Sequence, residues 1–285
     1  MKKYLSLVTF SHTIFAMPFA FIGFFLAIST TSNPFLWYKL ALMVLCMVFA
    51  RNAAMAFNRY LDRKIDAKNP RTQERDIPSG RISVNNALLF TCANCLMFVV
   101  ATWFINPLCF YLSPVALSII LGYSFTKRFT ALCHLVLGLG LSLAPIGAYL
   151  VVTGKFALLP LLFSFAVLCW VSGFDIIYAL QDEEFDRAEN LHSIPSYLGR
   201  EKALTLSNIL HVLAALFVIA PLFFTPLTWP YYIGLGIFIG MLYYQHRLVK
   251  PNDLTKVNFA FMTTNGIASV AFAVCFLFDI YYRSL

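Results

Sequence analysis

Long apolar stretches, parted by short polar or proline-bearing segments, run the length of the chain. Nine of them approach the roughly 20 residues that a membrane-crossing helix needs. They cover about 9–29, 36–57, 85–104, 108–124, 132–152, 157–181, 203–224, 230–246 and 258–281. The breaks carry turn-forming residues: Asn33-Pro34, Asn106-Pro107, Gly154-Lys155, Pro226, Pro230 and Pro251-Asn252. No stretch alternates apolar and polar positions as a half-buried strand would. The pattern therefore predicts an all-α bundle of about nine transmembrane helices, and it argues against a porin-type barrel.

Composition sharpens this picture. Of the 285 residues, 60% are hydrophobic and only 12% charged, with a mean hydropathy of +0.75. A soluble domain carries roughly twice that charged fraction, so soluble and disordered classes are excluded. The net charge of +8 then reads as a topology signal and not as a nucleic-acid footprint. With the N-terminus inside, the inside segments hold seventeen Lys and Arg residues, and the outside segments hold three: Lys39, Lys155 and Arg283. That bias predicts a cytoplasmic N-terminus, an outside C-terminus and an odd number of spans in the inner membrane. One transmembrane domain, 1–285, is expected. The seven cysteines all fall in apolar stretches, so no disulfide framework is expected. The Cys92/Cys95 pair sits mid-helix without a second ligand pair and reads as small packing residues. The first apolar run is too long for a usual signal peptide and reads as an uncleaved span.

The acidic residues are concentrated. Ten of the thirteen lie in two inside segments, about 58–84 and 182–202, which are expected to cap the bundle. In the first, Asn58, Asp62 and Asp66 recur every four residues and share one helical face. In the second, Asp175, Asp182 and Asp186 again share a face, with Tyr178 between them. Carboxylates packed this closely at a membrane ask for cations. Magnesium suits them, because it takes hard oxygen ligands and is usually held by one or two carboxylates plus substrate phosphates. Two Mg²⁺ ions would balance four carboxylates, leaving a diphosphate to be met by Arg51, Lys127 and Arg128. Arg51 lies inside a span, two turns before Asn58 and on the same face. An intramembrane arginine is a functional candidate by default.

These residues resemble the UbiA family of intramembrane prenyltransferases. The matching stretches are Arg51-Asn52-Ala53-Ala54, Asn58 with Asp62 and Asp66, Arg71-Thr72, Arg75 and Ile77-Pro78-Ser79-Gly80-Arg81. They continue with Tyr123, Lys127-Arg128 and Thr130, then Tyr178-Ala179, Gln181-Asp182 and Asp186. The segments Ser11 to Ala20 and His192-Ser193-Ile194-Pro195 resemble the 4-hydroxybenzoate polyprenyltransferase-like branch. The resemblance implies a Mg²⁺-dependent transfer of a polyprenyl group from polyprenyl diphosphate to a small aromatic acid in quinone biosynthesis. It implies Asn58, Asp62, Asp66, Asp182 and Asp186 as metal ligands, the four aspartates also being catalytic. Arg51, Tyr123, Lys127 and Arg128 match positions that face or flank the diphosphate.

The chemistry requires that a neutralised diphosphate depart, and that water be kept from the allylic cation. A phenol then attacks from a carbon ortho to its hydroxyl, which Asp182 is a candidate to orient or deprotonate. His12, Asp175 and Tyr178 are candidates for acceptor binding. His134 and His211 read as structural histidines, His246 as an interfacial anchor. His192 lies closer to the chemistry, in the second acidic segment. The 29 Phe residues offer an apolar slot for an isoprenoid tail. Two alternatives stay open: 1,4-dihydroxy-6-naphthoate as the acceptor, or a secondary transporter. Transporters usually place their charged site near the bilayer midplane. Here the aspartates cluster at the inside ends of the second and sixth spans.

Overall fold

A computed structural model describes Leu7, residues 15–31 and residues 35–284. Among these the chain is helical and forms no sheet. Helices α1 (Met17–Thr30), α2 (Trp37–Asp66), α3 (Val84–Trp103), α4 (Pro107–Thr126), α5 (Cys133–Thr153) and α6 (Leu158–Ala179) come first. Short α7 (Glu183–Ala188) and α8 (Ile194–Leu198) follow, then α9 (Arg200–Ile219) and α10 (Trp229–Leu248). The last helix, α11, opens as Val257–Phe259, widens through a π turn at Ala260–Thr264 and continues as Asn265–Ser284. Seven helices are long and apolar enough to cross a membrane. Helix α1 has fourteen described residues, and α10 is diluted by four tyrosines, Gln245 and His246. The protein is a polytopic membrane protein, and the nine long elements coincide with the nine predicted spans.

Chain chemistry explains the ends. Asn106 caps α4 by accepting the Cys109 N–H at 2.9 Å, while its amide donates to the Leu150 carbonyl at 2.8 Å. Pro107 occupies the first turn, where its missing N–H costs nothing. Helix α2 does not stop at residue 57. It keeps helical geometry to Asp66, with Arg63 and Lys64 in the last turn, where cations favour the helix dipole. The first acidic segment is therefore helix for its first third and turns for most of the rest.

Helix α1 buries most of its apolar residues, leaves Met17, Phe21, Phe25 and Ile28 half-buried along one stripe, and packs on α5 and α11. Helix α5 packs on α6, α6 on α9, α10 on α11, and α2 on α3 and α4. Close approaches use small residues: a Cβ at Gly23 would lie 2.0 Å from the Pro145 carbonyl oxygen. An aromatic cluster of Phe19, Trp170, Phe238, Phe272 and Phe276 fills the centre. The π turn frees the Ala260 carbonyl, which accepts from Gln245 at 3.0 Å. Asn265 accepts the Trp170 indole N–H at 2.9 Å. Trp170 is therefore core, whereas Trp37, Trp103 and Trp229 stand exposed near helix ends as an aromatic belt.

Candidate active site

Four of the predicted aspartates gather at one end of the bundle, where α2 and α6 finish. Each meets a cation of the chain. Asp62 lies 2.8 Å from Arg128 and accepts from the Asn58 amide at 3.0 Å. Asp66 takes both its contacts from Arg75, at 2.8 and 3.0 Å. Asp182 is gripped by the Arg71 guanidinium and accepts from Asn69 at 3.1 Å. Asp186 is buried and lies 2.7 Å from the Lys127 ammonium.

Lys127 joins the two aspartate groups. It closes the C-terminus of α4, beside Asp186 and within electrostatic reach of Asp182 and Asp62. Burial alone would lower its pKa, but the Asp186 and Asp182 carboxylates outweigh that and raise it. Arg71 behaves the same way: burial opposes its charge, and the Asp182 contact more than restores it. Arg71 also donates to the Tyr178 hydroxyl at 3.0 Å and lies 5.3 Å from that ring's centre. Tyr178 in turn packs on Phe261, with 4.2 Å between ring centres.

The two acidic segments touch each other and the α4–α5 turn. Lys68 pairs with Glu189 at 2.6 Å. The His192 N–H donates to the Lys127 carbonyl at 2.8 Å. Ser193 forms a capping box that starts α8. Together they roof the charged end.

Beneath the roof lies an apolar cavity of about 370 Å³ among α2, α3, α4 and α5. Arg51, Ala54 and Tyr123 line it towards the charged end; Ile105, Leu150 and Phe156 line it towards the opposite end. The Arg51 Nε is buried with no hydrogen-bond partner among the described residues, so the guanidinium is free to meet an anion. A buried donor left unmade is costly, so a ligand group there would relieve it.

Asp175 stands apart, two turns below Asp182 and 2.7 Å from His134 Nδ1. His12 lies outside the described residues. Three residues not assigned to the site from the sequence meet its aspartates: Asn69, Arg71, noted there only in a matching stretch, and His134, read there as structural. The pairing of Arg71 and Arg75 with acids was hinted at by their alternation through residues 62–76. Nothing in the sequence joined His134 to Asp175, forty-one positions away. His211 and His246 also pair, at 2.9 Å, so His246 is more than an interfacial anchor.

The donor set suits a hard divalent cation, with carboxylate and amide oxygens and no soft ligand among them. Among the described residues no three His, Cys, Asp or Glu side chains converge on one point. Magnesium needs only one or two carboxylates and completes its shell with water and phosphate.

The sequence profile of the UbiA prenyltransferase family matches residues 16–267. A 4-hydroxybenzoate octaprenyltransferase of Tolumonas auensis is 32% identical over 238 residues, covering 83% of this chain and 82% of that protein. One from Aliivibrio fischeri is 31% identical, with 83% and 82% covered. A solved apo structure of a UbiA homolog from Aeropyrum pernix superposes with a TM-score of 0.81 at 29% identity, covering 96% of this chain and 98% of that one. A UbiA homolog from Archaeoglobus fulgidus bound to DMAPP and Mg²⁺ shares the fold, with a TM-score of 0.76 at 22% identity and coverage of 98% and 99%. The chain belongs to the UbiA prenyltransferase family and is a membrane-embedded prenyltransferase.

Proposed function

We propose that this transferase moves a polyprenyl group from polyprenyl diphosphate to a 4-hydroxybenzoate-like acid, in quinone biosynthesis, with Mg²⁺ as cofactor. The carrying observation is the alternation of four aspartates with Lys127, Arg128, Arg71 and Arg75 above an apolar cavity edged by Arg51 and Tyr123. Such a site suits a ligand with a multiply charged head and a long apolar tail. The relatives named 4-hydroxybenzoate octaprenyltransferase support the acceptor class.

In this reading Asn58, Asp62, Asp66, Asp182 and Asp186 hold up to two Mg²⁺ ions, which supply charge neutralisation for the departing diphosphate. Arg51, Tyr123, Lys127 and Arg128 hold the phosphates. Arg51 is the donor nearest the apolar cavity, where the tail begins. Tyr178 is assigned to acceptor binding, and so, on the sequence alone, is His12. The roof formed by the two acidic segments keeps water from the allylic cation. The active site faces the cytoplasm of a bacterial inner membrane, following the distribution of Lys and Arg.

The test uses purified protein in lipid, a labelled polyprenyl diphosphate, and 4-hydroxybenzoate or 1,4-dihydroxy-6-naphthoate, with and without Mg²⁺. Transfer to 4-hydroxybenzoate that EDTA abolishes is expected. Transfer to the naphthoate alone moves the acceptor assignment. Product formation that survives EDTA, or persists in Asp62→Ala and Asp182→Ala variants, rules out the metal-bridged site.

A further inference from the structure

The aspartates differ in what they meet. Asp62, Asp66, Asp182 and Asp186 each pair with a Lys or Arg. Asp175 is the exception: its hydrogen-bond partner among the described residues is an imidazole, His134. The tautomer of that imidazole is fixed from the other side. The Ile194 N–H donates to His134 Nε2 at 3.3 Å. Nε2 must therefore carry the lone pair, and Nδ1 carries the proton that it gives to Asp175 at 2.7 Å.

Exposure separates the two side chains. That of His134 keeps 4% of its surface and that of Asp175 keeps 22%, so His134 is the buried member of the pair and Asp175 the accessible one. The Tyr123 hydroxyl lies within electrostatic reach of Asp62, Asp175 and Arg51 at once. Asp175 thus lies two turns below Asp182, on α6, within electrostatic reach of the Tyr123 that lines the apolar cavity. Asp182 is poorly suited to take a proton, with Arg71 and Asn69 on its oxygens.

We infer that Asp175 is the base that takes the phenolic proton of the aromatic acceptor, and that His134 is a positioning residue that aims it. The inference rests on the aromatic-acceptor reading above. The step balances as follows. The phenol O–H proton moves to the free oxygen of Asp175. The ring carbon ortho to the resulting oxyanion bonds to the allylic carbon as its bond to the diphosphate oxygen breaks, giving a cyclohexadienone. The proton on that ring carbon leaves to the released diphosphate, and Asp175 returns its proton to the ring oxygen. Asp175 is regenerated and the net proton leaves with diphosphate. The link from His134 to Ile194 ties the base to the segment that roofs the site.

Asp175→Asn keeps the shape and still accepts from His134, but it cannot take the proton. Its kcat with 4-hydroxybenzoate is expected to fall by about 10²–10⁴-fold, while binding of an unreactive thiolo analogue of the donor stays unchanged. With 3-fluoro-4-hydroxybenzoate, whose phenol is more acidic and whose other ortho carbon is free, at least about tenfold of that loss should return. His134→Asn retains an N–H near the Nδ1 position and should keep more of kcat than His134→Leu, at similar acceptor KM. Asp175→Asn within about threefold of the parent enzyme, or equal losses on both acceptors, overturns the base assignment, as does lost donor-analogue binding. If Asp175→Asn does not fold, the His134 pair decides: equal activity of the Asn and Leu variants overturns it. A parent enzyme that transfers to no phenol at all removes the acceptor reading, and the base assignment with it.

Discussion

Arg71 contributes two contacts that no other side chain could supply together. Its fork holds Asp182, and its remaining amine reaches the Tyr178 hydroxyl at 3.0 Å. A lysine would keep the charge and lose the fork. Arg71→Lys is therefore expected to lower prenyl transfer by about tenfold or more, the equivalent of one charge-assisted hydrogen bond. Its thermal stability should drop by about 1 kcal/mol or less, since Arg71 is one-third exposed and screened by water. Steady-state kinetics beside a melting curve checks both; a large stability loss with unchanged kinetics would make Arg71 structural. The aspartates were legible in the sequence because charge is rare in this chain and a four-residue spacing has one geometric meaning. Their partners were not. Asn69 and Arg71 sit in the turn-rich stretch after Asp66, which has no period to place a side chain, so folding alone brings them to Asp182.

Among the helices, spacing was legible and contact was not. The nine apolar stretches coincide with the nine long helices, most of them to within a few residues, because each stretch stops at Pro, Asn or Gly. The extension of α2 to Asp66 was implicit in the same spacing that aligned Asn58, Asp62 and Asp66, although the apolar boundary at residue 57 pointed elsewhere. Short α7 and α8 escaped notice because helices of six and five residues show no periodic signal. Which glycines mark a helix contact was equally hidden. Gly138 on α5 faces α6, where a Cβ would lie 2.3 Å from Ser172 Oγ and 2.5 Å from the Leu168 carbonyl oxygen. The serine can rotate and the carbonyl cannot. Gly138→Ala should thus destabilise by about 1–3 kcal/mol, and adding Ser172→Ala should recover only part of it. At Gly236 on α10, a Cβ would meet nothing within 4 Å. Gly236→Ala should be neutral or stabilise by about 0.5–1 kcal/mol through helix propensity. Thermal unfolding in one detergent, all variants side by side, checks the pair; equal effects at both positions would remove close packing as the cause.

Over the whole molecule, the two acidic segments share one end, and the sparse cations of the other end are used locally. Lys39 donates to the Val152 carbonyl at 3.2 Å, and Arg283 pairs with Asp279 at 2.8 Å. Asp279 in turn holds the start of α10 through the Thr228 N–H and hydroxyl, both at 2.6 Å. Lys127, Arg128, Arg71 and Arg75 instead surround the aspartates, in a position to exchange partners with an anionic substrate. In the proposed reading, orientation and catalysis draw on the same basic residues: those that would keep one end in the cytoplasm would also hold the site there, where a water-soluble aromatic acid would arrive. A reporter fused after Leu285 tests the arrangement. Alkaline phosphatase at that point should be active and green fluorescent protein dark, with the reverse for fusions inserted after Gly80, in the first acidic segment. Neutralising Lys64, Lys68 and Arg81 together should weaken the bias without touching the cations that meet Asp62, Asp66, Asp182 or Asp186. A bright C-terminal fluorescent fusion in the unaltered chain would invert the molecule and put the site on the opposite face, with its acceptor supplied from outside.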